Sequence, residues 1–407
     1  MSKVDELHLE KQDVKNFRSQ KPLHDNVFYG DSNEVNPVGF ADYNEFSKNK
    51  DRKQSMNGFD DDYVDFVDYI MKITHRIWEE NGIGIIYQTY HNDVVMHAGT
   101  VNVQGVNEVV SGTLQTLHAF PDRKLIGENI IWSGNDKEGF LSSHRIVSNA
   151  TNLGASSFGP ATGNKAFFRT IVDCFVHSNR IVEEWLVRDN LYIVKQLGFD
   201  PVSVAKKLAR NSENKTPALQ SRFGASQTMD GQIMPKVYTP SSEDFEIGDL
   251  ILEMYNKVWE WRLFNHIKDF YSNNAVVHYI CDKDLVGANQ IQGMLVSLFA
   301  SFPSSKFIVE RVTFNERPSE NEWDVAVRWR LQGLHEGIGY FGQPSGKPVE
   351  ILGISHLLVR NGKITEEWIT FDGLDVLRQI YLNTDDEFYK PDKSDQIGLT
   401  NGECNQV

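Results

Sequence analysis

The sequence predicts an α+β fold built twice within one chain. Three observations predict it: an internal repeat at a nearly constant offset, helical periods ahead of strand-like runs in each copy, and a two-residue turn signal near each copy's end. With 407 residues, the chain is long enough for about two or three domains at ~150 residues each.

The repeat comes first. The helical stretch ending at Trp78 aligns with the one ending at Trp259, an offset of 181 that also carries His97 onto His278. After one inserted residue, Gly105 meets Gly287 and Phe120-Pro121 meets Phe302-Pro303. After a second, Gly159 meets Gly342, Gly163 meets Gly346, RIVEEW (180–185) meets KITEEW (363–368), and Asp189 meets Asp372. So few slips over so long a stretch mark a duplication. The expected organisation is a polar arm (1–60), repeat one (61–200), a helix end and linker (201–241), repeat two (242–385) and a polar tail (386–407). The arm reads as extended, with FYGDSNEVNPVGF (28–40) aromatic enough to pack onto a surface.

Each repeat opens with an amphipathic helix. Val64, Val67, Ile70, Met71, Thr74, Ile77 and Trp78 recur at helical spacing, as do Ile247, Leu250, Ile251, Met254, Tyr255, Val258 and Trp259. A short helical piece (83–91; 263–271) and a strand ending at the histidine follow. The third helix (105–119; 287–300) stops at Phe-Pro, because proline disfavours helix in the residue before it. The remainder of repeat one is strand-like over 125–133, 138–149, 165–177 and 180–189. Asn361-Gly362 signals a type I′ hairpin, with Ser178-Asn179 in the matching place. Helices on one face of a bent antiparallel sheet would enclose a cone-shaped pocket.

Composition bounds the function. A net charge of -15 argues against nucleic acid and anionic membrane as partners, since both need a basic face. Cys174, Cys281 and Cys404 match no metal spacing and read as reduced thiols, which with the charged start points to a cytoplasmic protein. No apolar run approaches a membrane span, and no phosphate-binding, dinucleotide or zinc motif occurs, so neither metal nor cofactor is expected.

RIVEEWLVRDNLYIVKQLG (180–198), with GPATGNK and GQPSGK upstream of matching strands, resembles the C-terminal signature of SnoaL-like polyketide and ester cyclases. These belong to the nuclear transport factor 2-like superfamily. The resemblance covers both repeats and implies two tandem domains of that fold. It also implies that the motif aspartate, here Asp189 and Asp372, is the acid/base of an intramolecular aldol closure.

A regular two-residue hairpin sets Asp189 opposite Phe168 and Asp372 opposite Ile351. Trp185 and Trp368 then share the aspartates' face as pocket walls, where desolvation would raise a carboxyl pKa. The competing reading is that each aspartate caps the helix after it. His97 and His278 end matching strands as candidate donors to an oxyanion, or as buried histidines satisfied by backbone. Arg169 and Asp173 would suit an epoxide hydrolase, but the regular register sets them on the other face unless a β-bulge intervenes. Of His144 and Arg145, only the arginine recurs, as Arg328, which suggests a surface or interface salt bridge; Glu183-Glu184 and Glu366-Glu367 read as structural.

Two functions follow. One is a cofactor-independent cyclase or related acid/base enzyme on a small polyketide-like or carbonyl compound, with Asp189 as base and isomerase or epoxide hydrolase chemistry as lesser variants. The other is a non-catalytic scaffold or binder of a small hydrophobic ligand. In either, the two repeats are expected to pair as a pseudo-dimer within the chain, and further homo-oligomerisation stays open.

Overall fold

The computed structural model describes residues 26–48, 54–99, 101–213, 234–241, 246–319 and 321–382. The predicted tail and most of the linker lie outside these residues. The protein is α+β, with two mixed sheets and helices packed on one face of each.

The first unit runs from helix α1 (Phe66–Trp78) through strands β2 (Tyr90–Ala98) and β3 (Val101–Gln104) to α2 (Val106–Ala119). Strands β4 (Lys124–Asn135), β5 (Gly139–Thr151), β6 (Lys165–His177) and β7 (Arg180–Arg188) follow, then α3 (Asn190–Gln196) and α4 (Pro201–Glu213). The second unit repeats this order with α5 (Ile247–Met254), β8 (Tyr271–Tyr279), β9 (Lys283–Val286), α6 (Gly287–Ser301), β10 (Lys306–Glu316), β11 (Glu322–Leu334), β12 (Pro348–Arg360), β13 (Lys363–Phe371) and α7 (Gly373–Ile380). Strand order is β3-β2-β7-β6-β5-β4 in one sheet and β9-β8-β13-β12-β11-β10 in the other, so the topology is duplicated.

The local physics follows the residues. Asp65 starts α1 by accepting from the Asp68 amide, freeing the apolar stripe of α1 to face its sheet. Asn361-Gly362 and Ser178-Asn179 all take positive φ, as type I′ turns require. The arm reaches the second unit's sheet, where β1 (Val27–Tyr29) adds a parallel strand to β10, although Phe28, Tyr29 and Phe40 stay exposed. Asn315 fixes that junction, donating to the Gly30 and Trp132 carbonyls and accepting from the Trp132 amide. Further along, Val38, Phe46, Met56 and Tyr63 join the core of the first unit.

The expected regular register on β7 does not hold. Val176 pairs with Ile181, but Phe175 pairs with Glu183, so Val182 is a bulge. A bulge at Thr365 shifts β13 identically, between Val359–Ile364 and Leu358–Glu366. Each bulge exchanges the two faces of everything that follows it.

Candidate functional site

The exchanged faces decide where each candidate side chain goes. Directly paired residues share a sheet face, so Ser143, Asp173 and Trp185 form one row, and Arg145, Ile171 and Val187 the next. These rows face the other sheet. Ile171, Val187 and Trp185 pack against Leu352 and Ile354, and Ser143 Oγ lies 2.8 Å from His356 Nε2. Arg145 pairs with Glu128 and stacks 3.5 Å over Trp368, while Arg328 pairs with Glu310 and stacks 3.6 Å over Trp185. His97 and His278 close the same stacks from the far side, their rings 5.2 and 5.1 Å from Trp185 and Trp368. Both tryptophans therefore line the seam between units, where they had been expected to wall a pocket.

His97 has both ring nitrogens engaged, with Asn102 and Glu183 each 2.7 Å away, and His278 Nδ1 lies 2.6 Å from Asp284. Arg169 binds Glu128, and Asp173 meets Arg328 at 3.2 Å and Arg311 at 3.6 Å. The water-positioning arrangement of an epoxide hydrolase is thus replaced by ion pairs within the seam.

Asp189 ends opposite Arg169, whose carbonyl accepts from its amide, and not opposite Phe168. Its carboxylate caps α3 through the Tyr192 amide and also accepts from the Cys281 amide of the second unit. Burial raises its pKa to about 6, with both amide bonds pulling it back. The crevice it borders, with Arg169, Tyr192 and Tyr279, holds about 20 Å³, room for about one water. Asp372 caps α7 through the Leu374 and Asp375 amides and accepts from Asn190 of the first unit. Burial, then the Asp375 charge, raises it to about 7. The helix-capping reading describes both aspartates, and each cap also grips the opposite unit.

The concave face carries a different set, which sequence reasoning passed over or weighed only briefly. Ser142, Cys174 and Glu184 make one row; His144, Val172 and Leu186 the next; then Ile146, Thr170 and Arg188; then Ser148 and Phe168. Val172 and Cys174 pack against the α1 core, which fixes these rows as the wall of the first cone. The Tyr90 hydroxyl donates to Glu184 at 2.8 Å, and burial lifts that carboxyl to about 7. Among the described residues, His144 Nε2 and Thr170 Oγ1 are buried with no partner, and desolvation lowers the His144 pKa to about 3, leaving it neutral. Arg123, 5% exposed, donates to Ser148 and stacks on Trp78 and Phe168.

The second cone differs position by position. Val327 stands for His144, Gly353 for Thr170, Phe371 for Arg188, Leu331 for Ser148 and Ser305 for Arg123. Trp329 lies directly on Gly353, and Trp259, Phe307 and Phe371 stack around it at 5.3, 5.5 and 6.2 Å. Glu367 still receives the Tyr271 hydroxyl and is raised to about 7 by burial. Val172, Leu186 and Arg188 keep part of their surface open, whereas Ser355, Ile369 and Phe371 are buried. A comparison of the two repeats at strand positions was the signal that could have found this set.

Taken together, two helix-backed sheets with matching strand order define an α+β protein of two similar units. Residues 249–380 match the family model of the SnoaL-like polyketide cyclases, and this stretch of the chain is a SnoaL-like domain. Similar solved structures include a proposed SnoaL-like polyketide cyclase from Jannaschia sp. CCS1, 18% identical over 35% of this chain and 100% of that one, TM-score 0.30. AclR, a proposed hydroxylase from Streptomyces galilaeus, is 22% identical over 32% of this chain and 92% of its own, TM-score 0.28. TsrD from Streptomyces laurentii is 16% identical over 32% and 94%, TM-score 0.29. No curated protein matches the chain. Among the described residues, no helix is long and apolar enough to cross a membrane, and no cluster of His, Cys, Asp or Glu is arranged to hold a metal ion.

Proposed function

We propose that this chain is an acid/base enzyme of the SnoaL-like type, in which the first cone is the working site and the second unit is its structural partner. One observation carries the proposal: His144, Thr170, Arg188 and Ser148 line the first cone where the second has Val327, Gly353, Phe371 and Leu331. Unpartnered buried polar groups are costly to keep, and a ligand's polar atoms would offset that cost.

The acid/base role moves from Asp189 to Glu184. A carboxylate poised near neutrality can take a proton from a carbon flanked by carbonyls. The enolate so formed would be stabilised by a donor such as His144, then attack a second carbonyl carbon of the same molecule. The proton held on Glu184 then goes to the new alkoxide, which balances an intramolecular aldol closure. The wall supplies the positioning, and no step asks for a cofactor.

The test is α-proton exchange in deuterated water, followed by proton NMR, on aryl alkyl ketones such as butyrophenone and benzoylpropionate. The native chain is expected to accelerate exchange. Glu184→Gln should remove that acceleration, while Glu367→Gln and Asp189→Asn should retain it. Retained exchange in Glu184→Gln, or selective loss in a folded Asp189→Asn, overturns the assignment.

A further inference from the structure

Two guanidiniums, Arg123 and Arg188, stand close together at one end of the first cone. Arg123 spends Nε and Nη2 on one neutral acceptor, Ser148 Oγ, at 3.1 and 2.9 Å. Desolvation pushes its pKa down to about 9, and the neighbouring Arg188 charge adds to that. The nearest opposing carboxylate, Glu79, is already held by the Leu125 amide and His75. Arg188 is also lowered by burial, against the pull of the nearby Asp372 charge; its Nε donates to Asn190, and Asn190 in turn donates to Asp372. Among the described residues, neither guanidinium has a carboxylate within ion-pair distance. A buried guanidinium beside a second, part-open one, with no directly paired anion between them, is costly, and a buried charge is ordinarily paired.

We propose that the first cone binds an organic carboxylate, its anionic end seated between Arg123 and Arg188 and its body lying along Val172 and Leu186 toward Glu184. This rests on reading that cone as the working site and names the class of its substrate. The planar guanidinium fork matches a carboxylate's two oxygens, and Trp78 and Phe168 give an apolar collar that suits a singly charged group. Arg188 and Glu184 lie four residues apart on β7, about 13 Å along the strand. That separation suits a molecule with its carboxylate at one end and its reacting carbonyl near the other. The second cone, with Ser305 and Phe371 at the arginine positions, has no such seat.

Titration calorimetry on the full chain tests this with benzoylpropionate, its neutral amide and phenyl phosphate. The carboxylate is expected to bind at least about tenfold more tightly than the amide, the scale of a charge-assisted hydrogen bond. Arg123→Gln and Arg188→Gln should each bring carboxylate affinity down to about that of the amide. Leu186→Trp, which adds bulk to the cone wall between Glu184 and Arg188, should abolish binding of both. Equal affinity of native protein for carboxylate and amide, both lost in Leu186→Trp, would overturn the carboxylate inference and leave the cone as working site. Tighter binding of phenyl phosphate would overturn the carboxylate in favour of a phosphoryl group. Binding of none of the three probes would overturn the inference and the working-site reading together.

Discussion

Glu184 and Glu367 stand at matching places on β7 and β13, each buried in its cone beneath a tyrosine hydroxyl. Burial dominates in both and lifts each carboxyl from an ordinary value of 4.5 to about 7. The folded chain therefore holds protons that the unfolded chain has lost across that window. The stabilising contribution is fully present below about pH 4.5 and is lost as pH rises through about 7. Urea unfolding at pH 5 and pH 8 should show the native chain losing stability on the alkaline side. The Glu184→Gln/Glu367→Gln variant should lose clearly less, because its amides do not titrate. Asp189 and Asp372, also raised by burial, supply the slope that remains. An identical slope in the double variant would mean these carboxyls are solvated in solution.

At the scale of elements, helices and hairpins were legible because their signals are local. Phe120-Pro121 ends α2 and Asn361-Gly362 turns β12 into β13, each within a residue or two of the expected place. The bulges at Val182 and Thr365 were not legible, since one unpaired residue leaves no mark in composition. That single residue moved Trp185, Asp189, Trp368 and Asp372 off the concave face on which a regular register sets them. The three-residue β1 was equally invisible as a strand, because its partner β10 lies far away in sequence. Packing within the second cone makes a sharp prediction. A Cβ at Gly353 would come 2.1 Å from Trp329 Cζ2, deep in a wall with no open space. Gly353→Ala should destabilise the chain by about 2 kcal/mol or more in urea, as overpacking of a filled core does. The alanine at the matching position of the first cone, Thr170→Ala, should cost much less. Comparable losses would mean that the second cone has room to yield.

Across the whole molecule, the seam is nearly two-fold symmetric, and its one strong asymmetry is chemical. Arg145 and Arg328 each hold a glutamate of their own unit and cover a tryptophan of the other. Asp173 has no acidic counterpart; its place in the second unit is taken by His356, which burial keeps neutral. Removing Arg145 leaves Glu128 still bound by Arg169 at 2.8 and 3.1 Å. Removing Arg328 leaves Glu310 with Arg330, but leaves Asp173, 1% exposed, with only Arg311 at 3.6 Å. Stranding a buried charge costs about 3–5 kcal/mol, far more than loosening a shared one. Arg328→Met should therefore destabilise the protein more than Arg145→Met, despite their matching positions. Asp173→Asn should recover part of that loss in the Arg328→Met background and none in the Arg145→Met background. A urea double-mutant cycle reads both effects, and equal single losses without rescue would mean that water reaches Asp173 and the seam is open. The predicted inequality gives the duplicated halves a reason to pair with each other in one orientation: the acidic centre belongs to one unit and the arginines that neutralise it belong to the other.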